Sequence, residues 1–142
     1  MRALLDVNLL IALFDVDHVH HARAWRWFER HGRHGWASCP ITQNGCLRVM
    51  SNPGYPNPVP VAEMLSRLRA AVAAPEHAFW PDDASVLDSR RFASARIHGP
   101  RQITDIYLLG LAVAHGGRLA TFDEGIPRSA VMGAEARHPV VV

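Results

Sequence analysis

Three aspartates stand where carboxylates could hold a divalent cation. Asp6 and Asp123 each follow a short apolar run, and Asp105 lies at the start of a long apolar segment. Carboxylates brought close together repel one another and raise each other's pKa unless a cation lies among them. Mg²⁺ suits such a group because it takes oxygen ligands and keeps several waters. The pattern therefore indicates a cation site, provided that the fold brings the three residues together.

The chemistry that suits such a site is phosphodiester hydrolysis. One ion can polarise a phosphoryl oxygen and activate a water, and a second ion about 3.5–4 Å away could stabilise the leaving oxygen. Each aspartate also has a structural alternative. Asp6 could cap a helix, Asp105 could serve only a helix dipole, and Asp123 lies in an Asp-Glu-Gly turn. A shared position at one edge of a sheet would favour the functional role.

The segments that must position these acids alternate between strand-like and helical patterns, which predicts an α/β fold. Parallel strands separated by helices form a sheet covered on both faces, with sites at the carboxyl ends of the strands. The loop at 52–60 contains four prolines. We expect strands at 2–6, 36–39, 78–81, 118–122 and 138–142, and helices at 8–14 (capped by Asn8), 20–33, about 42–51, 61–73, 85–95 and 104–114.

Composition limits the class of protein. A length of 142 residues suits one domain, and 49% hydrophobic with 20% charged residues is typical of a globular chain. No apolar run is long enough to cross a bilayer, and no secretory signal pattern is present, so we expect a cytoplasmic protein. All fifteen basic side chains are arginines, and the net charge of +2 allows a nucleic-acid partner without requiring one.

Cysteine and histidine give no competing site. Cys39 and Cys46 are too few for a disulfide framework, and we expect both to be small core residues. His18, His20 and His21 cluster in the sequence, but adjacent residues cannot share a helix face. We expect these histidines to lie at the surface, in a loop and at a helix start.

The three acidic segments together resemble a known family. The run Leu4-Leu5-Asp6-Val7-Asn8 resembles the opening of PIN-domain nucleases, in which an aspartate ends the first strand. The segment from Ile103 to Leu108, which contains Asp105 and precedes Gly116-Gly117, resembles their helix with a catalytic aspartate. The run Leu119 to Asp123 resembles their last acidic strand end. The resemblance spans essentially the whole chain, and its size and layout look most like the VapC-type toxins of bacterial toxin–antitoxin pairs.

This resemblance implies a single PIN-like domain over residues 1–142, built as a three-layer α/β/α sandwich around a mostly parallel sheet of about five strands. It implies a Mg²⁺- or Mn²⁺-dependent endoribonuclease that acts on RNA and is inhibited by a cognate antitoxin, and homodimers are common in the family. Asp6, Asp105 and Asp123 would be the catalytic residues that bind the metal.

The chain departs from the family at one position. The family usually carries a glutamate early in the third helix, where this chain reads Thr42-Gln43-Asn44-Gly45. We take Asn44 as the replacement, although an amide brings no charge and leaves one or two ions possible. Arg48 in the same helix and Arg101 before Asp105 are candidates for binding RNA phosphates. A solvated arginine is the alternative at both positions.

Two other functions are possible alternatives to a metal-dependent ribonuclease. A haloacid-dehalogenase-like phosphatase would use Asp6 as a nucleophile, but it needs a second aspartate where this chain has Asn8. It also needs a lysine, as a receiver domain does, and the chain has none. The second alternative is a PIN-like domain that binds RNA or a protein without cutting.

Overall fold

The computed structural model describes residues 1–142 and contains one five-stranded sheet in which all neighbouring strands are parallel. The spatial order is β3-β2-β1-β4-β5, so the first strand lies at the centre of the sheet. The strands are β1 (Ala3–Leu5), β2 (Trp36–Ser38), β3 (His77–Phe79), β4 (Arg118–Thr121) and β5 (Pro139–Val141).

Five helices connect the first four strands and cover both faces of the sheet. The first two follow β1, the next two follow β2, and the fifth leads into β4. They are α1 (Val7–Phe14), α2 (His21–His31), α3 (Pro40–Met50), α4 (Val61–Val72) and α5 (Ile103–Ala114). Parallel strands require such crossovers, which explains the alternation of patterns in the sequence. The predicted three-layer architecture is confirmed, and the observed strands are one or two residues shorter than expected.

The core is divided between the two faces of the sheet. Leu4 points to one face with α5, whereas Ala3 and Leu5 point to the other with α1 to α4. Successive strand residues face opposite sides of a sheet, so this division follows from the strand geometry. Because both faces are buried, β1 is apolar throughout. Cys39 and Cys46 are buried and unpaired, as expected.

The helix predicted over residues 85–95 is absent, and that prediction is wrong. The Ser85 hydroxyl accepts from the Leu87 N–H at 3.2 Å, and the Asp88 carboxylate accepts from the Arg90 N–H at 3.0 Å. Such local bonds from side chain to backbone compete with helix formation. The segment instead turns so that Phe92 enters the core.

Gly110 makes room for that ring, since a Cβ at position 110 would lie 2.3 Å from Phe92 Cζ. Of the helices described, none combines the length and the apolar character needed to span a membrane.

Candidate active site

Asp6 connects β1 to α1 and is held in place by both. Its N–H donates to the Ala120 carbonyl at 3.1 Å, which continues the pairing of β1 with β4 by one residue. Its Oδ1 accepts from the Leu9 N–H at 2.8 Å, so Asp6 is the N-cap of α1. Asn8 lies inside α1 and is exposed, so the prediction that it caps this helix is wrong. The Asp6 carboxylate is therefore both buried and fixed in direction.

Asp123 lies beyond the end of β4 in a turn that orients its side chain. Its Oδ1 accepts from the Gly125 N–H at 2.7 Å, and its own N–H donates to Thr121 Oγ1 at 3.0 Å. The Thr121 side chain is also close enough to Asp6 to lower the pKa of that carboxyl. Thr121 thus joins the two aspartates at the carboxyl ends of neighbouring strands.

Asp105 approaches from the other face of the sheet. It lies in the first turn of α5 and is half-buried, and its side chain is within hydrogen-bonding reach of Asp123. The structure therefore brings Asp6, Asp105 and Asp123 to one edge, as the positions of the three residues in the sequence predict.

The negative charge at this edge is poorly compensated by the protein. The pKa of Asp6 is raised from 3.8 to about 6, chiefly by burial and to a smaller extent by the charges of Asp105 and Asp123. The hydrogen bonds from Thr121 and Leu9 act in the opposite direction but are outweighed. A shift of this size corresponds to about 3 kcal/mol of cost for ionising Asp6 in the folded protein.

The pKa of Asp105 is also raised, by burial first and then by its interactions with Asp123. None of the three aspartates forms a salt bridge with an arginine or a histidine.

An open pocket of about 200 Å³ lies beside Asp105 and Asp123. Arg101, in the short 3₁₀ turn that precedes α5, lines the same pocket and is exposed. The pocket therefore combines two carboxylates with one guanidinium group, which can bind an oxyanion in a bidentate manner. The remaining lining residues are Gln102, Gly125, Ile126 and Pro127.

The donor set fits a hard divalent cation. Carboxylate oxygens are the ligands that such ions prefer, and Asp6 and Asp105 have raised pKa values that a nearby cation would reverse. No three acidic, histidine or cysteine side chains converge tightly enough to ligate one ion together. Mg²⁺ needs only one or two carboxylates and keeps several waters, so this looser arrangement suits it.

The structure does not bring Asn44 or Arg48 to this pocket. Both are exposed on α3 and lie one turn apart, and Asn44 lines the groove between α3 and α4. The side of α3 that faces the start of α1 carries Gly45 instead, where a Cβ would lie 2.6 Å from Val7 Cγ2. Close packing of Gly45 on Val7 turns position 44 toward α4, and the replacement of the family glutamate by Asn44 stays a prediction.

Sequence reasoning missed Thr121, which links Asp6 to Asp123. The available signal was a polar residue at the end of an otherwise apolar strand, two positions before an acid. Gln43 was also overlooked; its amide donates to Ser38 Oγ at 2.9 Å, at the end of β2.

Comparison with known proteins gives consistent matches over most of the chain. The PIN domain family model matches residues 3–131. Ribonuclease VapC44 of Mycobacterium tuberculosis is 52% identical over 138 residues, with 97% of each chain covered. Ribonuclease VapC39 of the same organism is 41% identical over 134 residues, covering 94% of this chain and 96% of the relative.

A solved structure, that of VapBC2 from Rickettsia felis bound to a DNA fragment from their promoter, has a similar fold. It matches with a TM-score of 0.59 and covers 89% of this chain and 94% of that one, at 15% sequence identity. At this identity the likeness supports the fold alone.

Proposed function

The chain belongs to the PIN-domain family, and we propose that it is the endoribonuclease toxin of a toxin–antitoxin pair, using a divalent cation, Mg²⁺ or Mn²⁺. The observation that carries this proposal is the meeting of three carboxylates without a basic partner. Two relatives that match nearly the full chain are named ribonucleases, which supports RNA as the substrate.

In this proposal, Asp6, Asp105 and Asp123 share the cation, with one or two of the carboxylates as direct ligands and the rest bound through its waters. A cation held there would supply polarisation of the scissile phosphate and a lowered pKa for an attacking water. The surrounding residues contribute orientation: the Leu9 backbone N–H and the Thr121 side chain fix the Asp6 carboxylate, and the Gly125 backbone N–H fixes that of Asp123. Asn44 and Arg48 take no part in the proposed chemistry.

Arg101 is proposed to bind the RNA phosphate. It lines the pocket that contains Asp105 and Asp123, and it forms no salt bridge. A guanidinium group placed there offsets the repulsion between the carboxylates and the negatively charged substrate. We therefore expect Arg101→Gln to weaken RNA binding more than it weakens cation binding.

The proposed inhibitor is a cognate antitoxin, by analogy with the complex of VapBC2. An apolar groove of about 460 Å³ between α2 and α4 offers a surface for a protein partner, with Trp25, Phe28 and Trp36 in its lining. Exposed apolar surface of this kind commonly marks protein–protein contacts. Homodimer formation remains a prediction from the family resemblance.

The test is cleavage of total RNA by the purified protein with Mg²⁺ or Mn²⁺, with EDTA added to a parallel sample. Cleavage by the natural sequence and its loss in Asp6→Asn are expected. Asp83→Asn, which removes an acid at the far end of α5, is the matched control and should remain active. Cleavage that persists in Asp105→Asn or in EDTA would overturn the proposed mechanism.

A further inference from the structure

The solvent-facing side of α2 carries three arginines at helical spacing. Arg23, Arg26 and Arg30 are separated by three and four residues, so they share one side of the helix. All three are exposed, whereas Ala24 on the opposite side is buried. Below, these three residues are called the arginine face.

Arg26 and Arg30 of this face have no acidic partner within the protein, and the Arg23 guanidinium donates a hydrogen bond to the main-chain oxygen of Val142. The salt bridges formed by arginines involve Arg67, Arg90, Arg91 and Arg137, and none involves α2. Glu29 is the one acidic residue of α2, and it lines the apolar groove on another side of the helix. Three positive charges are therefore concentrated here in a chain whose formal net charge is only +2.

The arginine face begins beside the acidic edge. The Arg23 guanidinium carbon lies 5.2 Å from the centre of the Phe122 ring, and the His20 ring centre is 4.9 Å from that of Phe122. Phe122 directly precedes Asp123 in the chain. His20 and Phe122 are both half-buried, so neither residue is enclosed in the core. An aromatic pair thus separates the carboxylates from the arginines.

We propose that this surface binds single-stranded RNA, with a base on the His20–Phe122 pair and the following phosphates along the arginine face. Aromatic rings that stack bases, followed by a basic track, are the usual means of holding single strands. From Arg23 to Arg30 the helix rises about 10 Å, which is enough for more than one phosphate. The inference rests on the proposed function, because it supplies a track for that substrate outside the acidic pocket.

Binding can be tested with a fluorescein-labelled single-stranded RNA of mixed sequence, measured by anisotropy over a range of KCl concentrations. The protein carries Asp105→Asn so that the probe is not cut. Each phosphate contact to a single strand contributes about 0.7 to the slope of log K against log salt. The variant Arg23→Gln/Arg26→Gln/Arg30→Gln should therefore reduce this slope by about 2 and weaken binding at least about tenfold.

The matched control removes three arginines that already have acidic partners. Arg67→Gln/Arg90→Gln/Arg137→Gln causes the same loss of charge but should leave the slope unchanged. Phe122→Leu should weaken binding about tenfold with the slope retained, since loss of one stacked base removes no phosphate contact. Thermal unfolding identifies any variant that is not folded, and His20→Ala then serves as a second test of stacking.

The possible outcomes separate this inference from the proposed function. If the natural sequence cuts RNA but the arginine variant keeps the full salt slope, the inference is overturned and the function stands. If the natural sequence cuts no RNA but binding depends on the arginine face, the function fails and the inference stands. Equal losses in the control variant would indicate a general effect of charge and would overturn the inference. Loss of antitoxin binding with the RNA slope retained would also overturn it.

Discussion

Carboxylates lie at both ends of α5, and the two groups differ in their surroundings. At the N-terminal end, Asp105 lies near Asp6 and Asp123 without forming a salt bridge. At the C-terminal end, the His115 Nε2 is 2.9 Å from Asp83 Oδ1. The His115 ring also stacks on a buried tryptophan with its centre 4.8 Å away.

The pKa values of the two groups move in opposite directions. Burial, followed by the charge of Asp123, raises the pKa of Asp105, whereas the hydrogen bond with His115 lowers the pKa of Asp83. At the C-terminal end of α5, the Asp83 carboxylate has a partner within the chain. At the N-terminal end, the carboxylates have no basic partner that forms a salt bridge with them. This difference, more than the number of acids, separates a structural group from a candidate site.

Replacing the carboxylate with an amide at each end of α5 in turn should give the largest difference, and the difference is in RNA cleavage. Asp105→Asn should lower RNA cleavage at least about a hundredfold, since replacing even the neighbours of metal ligands costs about 10–100-fold. Asp83→Asn should stay within about twofold of the natural sequence. Initial rates on one RNA substrate provide the measurement, and similar losses at both ends would remove the distinction.

Cation binding should depend on pH through Asp6. Its pKa is raised to about 6, so below that pH a proton must leave before the carboxylate can bind a cation. We expect affinity for Mn²⁺ to fall about tenfold for each pH unit below 6 and to level off above it. Calorimetric titration checks this, with Asp6→Asn as the control that should bind weakly at every pH.

The metal-free protein should become more stable in the Asp6→Asn variant. The pKa of Asp6 is about 6 in the folded state against an ordinary value of 3.8. The folded state therefore holds the proton more tightly between these values, and ionised Asp6 destabilises the fold at higher pH. Asparagine removes that cost while keeping the N-cap, so we expect a gain of about 1–3 kcal/mol above pH 6.

This gain should disappear as the pH falls below about 4, where the Asp6 carboxyl is neutral in both the folded and the unfolded state. Urea unfolding at several pH values measures the difference between the two proteins. Asp6→Ala serves as the control, because it removes the charge and also the cap and should therefore gain less. A stability difference independent of pH would contradict the assignment.

The smallest effect is expected at the other end of α5. Asp83 is largely exposed, and exposed ion pairs contribute less than about 1 kcal/mol, so Asp83→Asn should cost no more than that. This change in stability is opposite in sign to the change expected for Asp6→Asn. Because the pKa of Asp83 is lowered, its contribution is present above the unfolded pKa and is lost as the pH falls through the folded pKa. The same urea series should detect the reversal.

The sheet edge at which the aspartates lie could be predicted from the sequence, because the pattern that places each strand-end aspartate is contained in a short segment. A short apolar run followed by Asp6 or Asp123 places each carboxylate at a strand end, and parallel pairing then brings those ends together. The three-layer architecture follows from the same alternation of segments. Thr121 lies in one of these runs, but its contact with Asp6 depends on the pairing of β1 with β4.

Other features depend on contacts that no short segment contains. The direction of Asn44 is set by the packing of Gly45 on Val7, between two helices that are distant in the sequence. The turns from Ser85 to Arg90 satisfy their own backbone and so interrupt an apparently helical pattern. The meeting of α2 with Phe122 likewise depends on how the helix packs against the sheet.

The central place of β1 has a consequence for synthesis. Ala3 pairs with Arg118, so strands that are distant in the sequence form the middle of the sheet. Until β4 has been synthesised, Asp6 lacks its neighbours Thr121 and Asp123, and contacts between such distant segments form late. A nuclease with this topology cannot assemble its acidic edge before β4 has been made, so the part of the chain that precedes β4 carries no complete site.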